Sequence, residues 1–190
     1  MPPSGPSVDA KLNRVLVLSA SAGAGHVRAA QALERALVAT GRVREVRHVD
    51  ILQYTTKLFR RVYAQAYLDL VNRAPEVLGW LYDYFDEPWK HERVRLALDR
   101  LNTTRFVRLL ERERPDWAVS THFLPAQLIA WLRSKGRLAT RQAIVVTDFD
   151  VQGMWLTRHV DRYFVALDET RVHLERLGVP PTAITVSGIP

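Results

Sequence analysis

The chain of 190 residues contains no cysteine, so disulfides and thiol chemistry are excluded and nothing marks a stapled secreted scaffold. No apolar run approaches the roughly 18 residues that suggest a membrane-crossing helix. The start, Met1 to Asn13, is rich in Pro, Ser and Gly and lacks the apolar stretch of a signal peptide, so residues 1–13 read as a loose tail. Lysine stands only at Lys11, Lys57, Lys90 and Lys135, so arginine carries most of the formal net charge of +7. That balance suits nucleic acid, an anionic lipid surface or a phosphorylated ligand; arginine use in a GC-rich genome accounts for much of it equally well. No nucleic-acid recognition motif is present, so nucleic acid is not expected as a partner. Tight ligand spacing such as His-Glu-x-x-His is missing, so neither a metal nor a cofactor is expected. There is no internal repeat and no clear linker. What is there is ordinary globular material, 47% hydrophobic and 25% charged, enough for one domain.

The chain is organised around Val15-Leu16-Val17-Leu18-Ser19-Ala20-Ser21-Ala22-Gly23-Ala24-Gly25-His26, which runs into an Ala-rich segment. An apolar run ends in small residues and then opens a helix from about His26 to Thr40, closed by Gly41. Small residues let a ligand approach the backbone. The unpaired N–H groups and dipole of a first helical turn favour negative charge, so Gly23, Ala24 and Gly25 form a candidate phosphate or carboxylate site. His26 stands beside them with a side chain that can move a proton near neutral pH. A P-loop is excluded because the loop has no lysine. The dinucleotide fingerprint fails because Arg28 stands where Gly or Ala is needed. The plain alternative is a strand–helix turn that needs small residues for packing.

Val43 to Val49 reads as a second strand, followed by Asp50, for which a helix cap or packing role is the better assignment once the fingerprint fails. From Ile51 the spacing turns helical, and residues 51–113 read as a helical insertion longer than a simple connection needs. Its aromatic and basic residues, with Trp80, Tyr84, Phe85 and Trp89 at the far end, suit a surface that meets lipid headgroups or holds an acyl chain; a helical hairpin packed on the sheet is the alternative. Strands are expected at Pro115 to His122, Gln142 to Asp148, Tyr163 to Ala166 and Ile184 to Ser187. Helices are expected at Pro125 to Ser134 and from a cap at Asp168 to Gly178. Alternating strands and helices imply a doubly wound, Rossmann-like parallel sheet over 14–190. Ligands of such sheets sit outside the carboxyl ends of the strands. The fold should therefore gather His26, Ser120, Thr121, His122, Thr147 and Asp148 at one edge, although each alone also reads as a capping or loop residue.

Three stretches, taken in order, resemble the N-terminal domain of the monogalactosyldiacylglycerol synthase and processive diacylglycerol glucosyltransferase family. They are Ser21 to His26 with the Ala-rich helix; Pro115-Asp116 leading to Ser120-Thr121-His122-Phe123-Leu124-Pro125; and Val146-Thr147-Asp148 followed by Trp155, Asp161 to Val165 and Gly188-Ile189-Pro190. The resemblance implies a two-domain GT-B glycosyltransferase whose N-terminal domain binds a lipid acceptor and whose C-terminal domain holds most of the nucleotide-sugar donor. It implies that His26 deprotonates the acceptor hydroxyl, with Gly23, Ala24 and Gly25 near the donor phosphates. His122, Thr147 and Asp148, by their strand-end positions, would order the acceptor or the base. The implied partners are diacylglycerol or a similar lipid and an anionic membrane surface. Nucleotide sugar is expected only with a donor domain. The implied location is cytoplasmic, peripheral on the inner face of the cell membrane. The family passes into its donor domain near Gly188-Ile189-Pro190, so this chain alone is expected to transfer no sugar. A non-catalytic membrane- or partner-binding module, or transfer to a different lipid, is the competing reading.

Overall fold

The computed structural model describes residues 11–61, 63, 102–149, 151 and 153–190. In chain order these form β1 (Leu12–Ser19), α1 (Ala24–Ala39), β2 (Val43–Asp50), a 3-10 turn (Ile51–Tyr54), α2 (Thr104–Glu113), β3 (Trp117–Ser120) and α3 (Phe123–Ser134). Then come β4 (Arg141–Val145), a 3-10 turn (Gly153–Trp155), β5 (Arg162–Val165), α4 (Asp168–Arg176), a 3-10 turn (Pro181–Ala183) and β6 (Ile184–Val186). The strands lie in the order β2-β1-β3-β4-β5-β6, and every pair is parallel. This is a Rossmann-like α/β domain.

Side chains alternate across a strand, so β1 serves two layers at once. Leu16 and Leu18 join Ala118 of β3 under Phe106, Leu109 and Leu110 of α2 and Leu124, Leu128, Ile129 and Leu132 of α3. Ile144, Tyr163 and Val165 continue that layer with Trp155 and with Leu174 of α4. Val15 and Val17 face the other way. Right-handed crossovers put α1, which leads from β1 outward to β2, on the face opposite the helices that lead towards β6. α1 buries Ala29 and Ala30 there.

Two acids of the sequence pattern act at the amino ends of the strands. The Asp116 carboxylate accepts the N–H groups of Asn13 (2.6 Å) and Arg14 (3.0 Å), joining the start of β1 to the start of β3. The Asp161 carboxylate accepts the Gln142 N–H (2.7 Å) and pairs with Arg133 (2.6 Å), joining β4, β5 and α3. Each fixes the register of a parallel pair at the end of the sheet remote from the helix-opening loops. Asp116→Ala should cost about 2 kcal/mol, as expected for hydrogen bonds to a charged acceptor, read by urea unfolding.

Several boundaries differ from the sequence reading. β1 begins at Leu12, inside the span read as tail, because Leu12 pairs with Val43 and Asn13 with Asp116. α1 starts at Ala24, so Ala24 and Gly25 are its first residues and not a loop before it. α3 starts at Phe123 with Pro125 in its first turn, where a missing N–H costs nothing. Asp168 is the first residue of α4 and pairs with Arg171 (3.0 Å), while Leu167 takes the cap position. The insertion does not open as one helix. The Asp50 carboxylate caps the 3-10 turn through the Leu52 N–H, and the Thr56 hydroxyl then accepts the Phe59 N–H at a new helical start.

Candidate functional site

The strand order reverses direction between β1 and β3. The chain leaves β1 towards one edge and later leaves β3 towards the other, so a crevice opens outside their carboxyl ends. Both edges of that crevice are built from the segments singled out in the sequence.

On the β1 side, the Asp50 carboxylate braces the glycine loop by accepting the Ser21 N–H (3.1 Å) while it caps the following turn. Gly23 takes the cap position of α1 in an extended conformation, with no side-chain bond to the first turn and no acidic residue within it. Among the described residues no side chain caps these first-turn N–H groups, which favour negative charge. A Cβ on Gly25 would meet open space and its backbone needs no positive φ, so neither packing nor conformation demands glycine there.

His26, in this first turn, reaches across to the ends of β3 and β4. Its Nδ1 lies 2.9 Å from the Thr121 carbonyl and 2.7 Å from the Thr147 hydroxyl. A carbonyl can only accept, so Nδ1 carries the hydrogen and Nε2 keeps its lone pair. The Thr121 hydroxyl in turn donates to the His26 carbonyl (2.8 Å), fixing ring and backbone from one residue.

His122 has the opposite tautomer. It caps α3, its Nδ1 accepting the Leu124 N–H at 3.1 Å, which places the hydrogen on Nε2. It is fully enclosed, edge-on to His26 with ring centroids 4.7 Å apart, and its ring meets Phe123 (4.2 Å) and Tyr63 (6.3 Å). Burial pushes its pKa well below the ordinary histidine value, and a charge on His26 would push the same way. Burial also lowers the pKa of His26, opposed by the Asp148 carboxylate and by the bond to Thr121. Both rings are thus held neutral, one with a basic Nε2 and the other with an Nε2–H donor.

Asp148 is aimed by Trp155, whose indole N–H donates to its carboxylate at 2.8 Å. Trp155 is buried, its ring 6.3 Å from His26 and 6.5 Å from His122. Its turn is pinned by the Gln127 amide on the Met154 carbonyl (2.8 Å).

The structure therefore gathers His26, Thr121, His122, Thr147 and Asp148 into one cluster, beside Gly23, Ala24 and Gly25. Ser120 is buried beneath it, and its hydroxyl has no partner among the described residues. Trp80, Tyr84, Phe85 and Trp89 lie outside the described residues. The clasp of Thr121 on His26, and Trp155 behind Asp148, were not assigned roles from the sequence. Their partners are about a hundred residues away or on a separate turn, and no local spacing reports such pairing. Among the described residues no three His, Asp or Glu side chains converge as metal ligands.

The family described as monogalactosyldiacylglycerol (MGDG) synthase matches residues 26–190, most of the chain and every strand of the sheet after the first. The chain belongs to the monogalactosyldiacylglycerol synthase family. Among its relatives are the processive diacylglycerol beta-glucosyltransferases of Bacillus thuringiensis (strain Al Hakam), Bacillus cereus (strain AH187) and Bacillus anthracis (strain CDC 684 / NRRL 3495). Each is 29% identical over 177 residues, covering 93% of this chain and 45% of the relative. The chain thus spans about half the length of the curated relatives it matches. The family match begins at His26 itself, and the Thr121-His122 and Thr147-Asp148 pairs fall within it.

Proposed function

We propose that these 190 residues form the acceptor half of a glycosyltransferase that moves a sugar from a nucleotide sugar to diacylglycerol, and that His26 is its catalytic base. One observation carries the reading: a neutral histidine with its Nδ1–H committed to protein oxygens, so that Nε2 is the basic atom, set in the first turn of a helix that opens at the switch point of the sheet. The acceptor hydroxyl oxygen attacks the anomeric carbon and its proton passes to Nε2 of His26. The bond from that carbon to the diphosphate oxygen breaks, and the nucleoside diphosphate leaves with the electron pair. The first-turn N–H groups of Ala24 and Gly25, with the α1 dipole, stabilise the charge that grows on the diphosphate. Asp148 favours the imidazolium once it forms. His122 donates from Nε2 and orders the acceptor or the base. The donor contacts fall to a second domain, and the chain by itself transfers no sugar.

The diacylglycerol acceptor is supported by the relatives, which are named as processive diacylglycerol beta-glucosyltransferases. No helix among the described residues is long and apolar enough to cross a membrane. A peripheral seat on the anionic inner face of the cell membrane, with Trp80, Tyr84, Phe85 and Trp89 towards the lipid, suits the net charge and the aromatic content of that segment.

The test supplies the chain with the separately produced second half of the Bacillus cereus relative, diacylglycerol vesicles and labelled nucleotide sugars. Glycolipid should form only with both halves present. Product from the chain alone would refute the need for a donor domain. Absence of product from either mixture, with diacylglycerol-dependent vesicle binding retained, would favour a non-catalytic lipid-binding module. Gly25→Ala separates structure from use of the donor. It should raise stability by about 0.5–1 kcal/mol, because alanine is the better helix former. It should also raise the KM for nucleotide sugar, because the added methyl occupies the ligand's side of the turn.

A further inference from the structure

We propose that Thr147 is a positioning residue that joins the Thr121 carbonyl in holding Nδ1–H of His26 and so stabilises the ring once Nε2 has taken a proton. The inference rests on the reading of His26 given above but can be tested without any transfer reaction. The Thr147 hydroxyl is the closer of the two oxygens around Nδ1, at 2.7 Å against 2.9 Å for the Thr121 carbonyl. It also lies 3.5 Å from that carbonyl. One arrangement satisfies all three atoms. Nδ1–H is shared between the hydroxyl oxygen and the carbonyl, and the hydroxyl hydrogen turns towards the carbonyl. The reverse arrangement, with the hydroxyl donating to Nδ1, would leave the Thr121 carbonyl facing a lone pair. The β-branched threonine has few rotamers to choose from, so the acceptor is held in place before any ligand arrives.

The hydroxyl matters more when the ring is charged. An Nδ1–H of the imidazolium binds its acceptors more strongly than that of the neutral ring. Thr147 therefore stabilises the protonated base at the moment it has taken the acceptor's proton. Among the described residues, the charged and titratable groups facing His26 are Asp148, which favours the imidazolium, and the neutral His122, with Tyr63 behind it. Thr147 adds no charge, which lets its contribution be separated from theirs.

The experiment is ring-15N NMR of the labelled 190-residue chain across pH, for the parent, Thr147→Val and Thr147→Ser. The parent should show a protonated Nδ1 and an unprotonated Nε2 at neutral pH. Thr147→Val should leave the tautomer to the Thr121 carbonyl but lower the His26 pKa by about one unit, while Thr147→Ser restores the pKa. Should the valine variant not fold, Thr147→Ala carries the same expectation. A parent-like His26 pKa in the valine or alanine variant would overturn the proposal, as would a parent whose Nε2 carries the proton. A normal tautomer result together with failed sugar transfer would instead count against the transferase reading alone.

Discussion

Replacing His26 by Gln is expected to lower the transfer rate of the reconstituted enzyme by about 10²–10⁴, the usual contribution of a positioned general base. Glutamine keeps an amide hydrogen for the Thr121 carbonyl but has no basic atom to offer the acceptor. The His26 side chain is partly buried but belongs to neither apolar core cluster, so the variant should fold and bind diacylglycerol vesicles as the parent does. KM for the lipid should change little, because the interaction lost is one made in the transition state. The comparison requires kcat and KM from both proteins with the same second half. A glutamine variant within about threefold of the parent would remove His26 from the chemistry.

Acid should destabilise the fold through the same pair of histidines. The pKa of each is lowered in the folded state, chiefly by burial, so the unfolded chain binds more protons. The stability they confer is present in full above the unfolded value of about 6.5 and is lost as pH falls through their folded values. The limiting slope is about 1.4 kcal/mol per pH unit for each histidine. For His122 the cause is atomic: a proton on Nδ1 occupies the lone pair that accepts the Leu124 N–H, and α3 loses its cap. Asparagine caps well and does not titrate. In His122→Asn the fall in urea-unfolding free energy between pH 7 and pH 5 should therefore be clearly smaller than in the parent. Superimposable pH profiles would show that His122 is not the buried titrating group.

The sheet was legible in the sequence because its strands are buried runs broken by helices, a pattern set by a parallel sheet covered on both faces. The strand-end rule then nominated His26, His122, Thr147 and Asp148, and the structure brings them together. The rule could not say what each does. Asp116 and Asp161 sit in the same family-like stretches as the cluster residues, yet they work at the opposite end of the sheet, as acceptors for neighbouring strands. Local sequence is equally polar at both ends of a strand, and only the topology separates them. Helix starts were misplaced for a related reason. The sequence pattern begins α1 at His26 and α3 at Pro125, but a first helical turn has no intrahelical N–H partners to lose, so Pro125 fits inside it and both helices start two residues earlier. Trp155 carried no periodic signal at all; its meaning comes from the indole bond to Asp148.

The most direct test of His26 as the neutral base is the pH dependence of kcat/KM for the reconstituted enzyme with diacylglycerol vesicles. A base with a lowered pKa should give a rate that is flat through neutral pH and falls on the acid side with a single-proton limb below about 6.5, a limb missing from the residual activity of His26→Gln. An acid limb that persists unchanged in the glutamine variant would contradict the assignment.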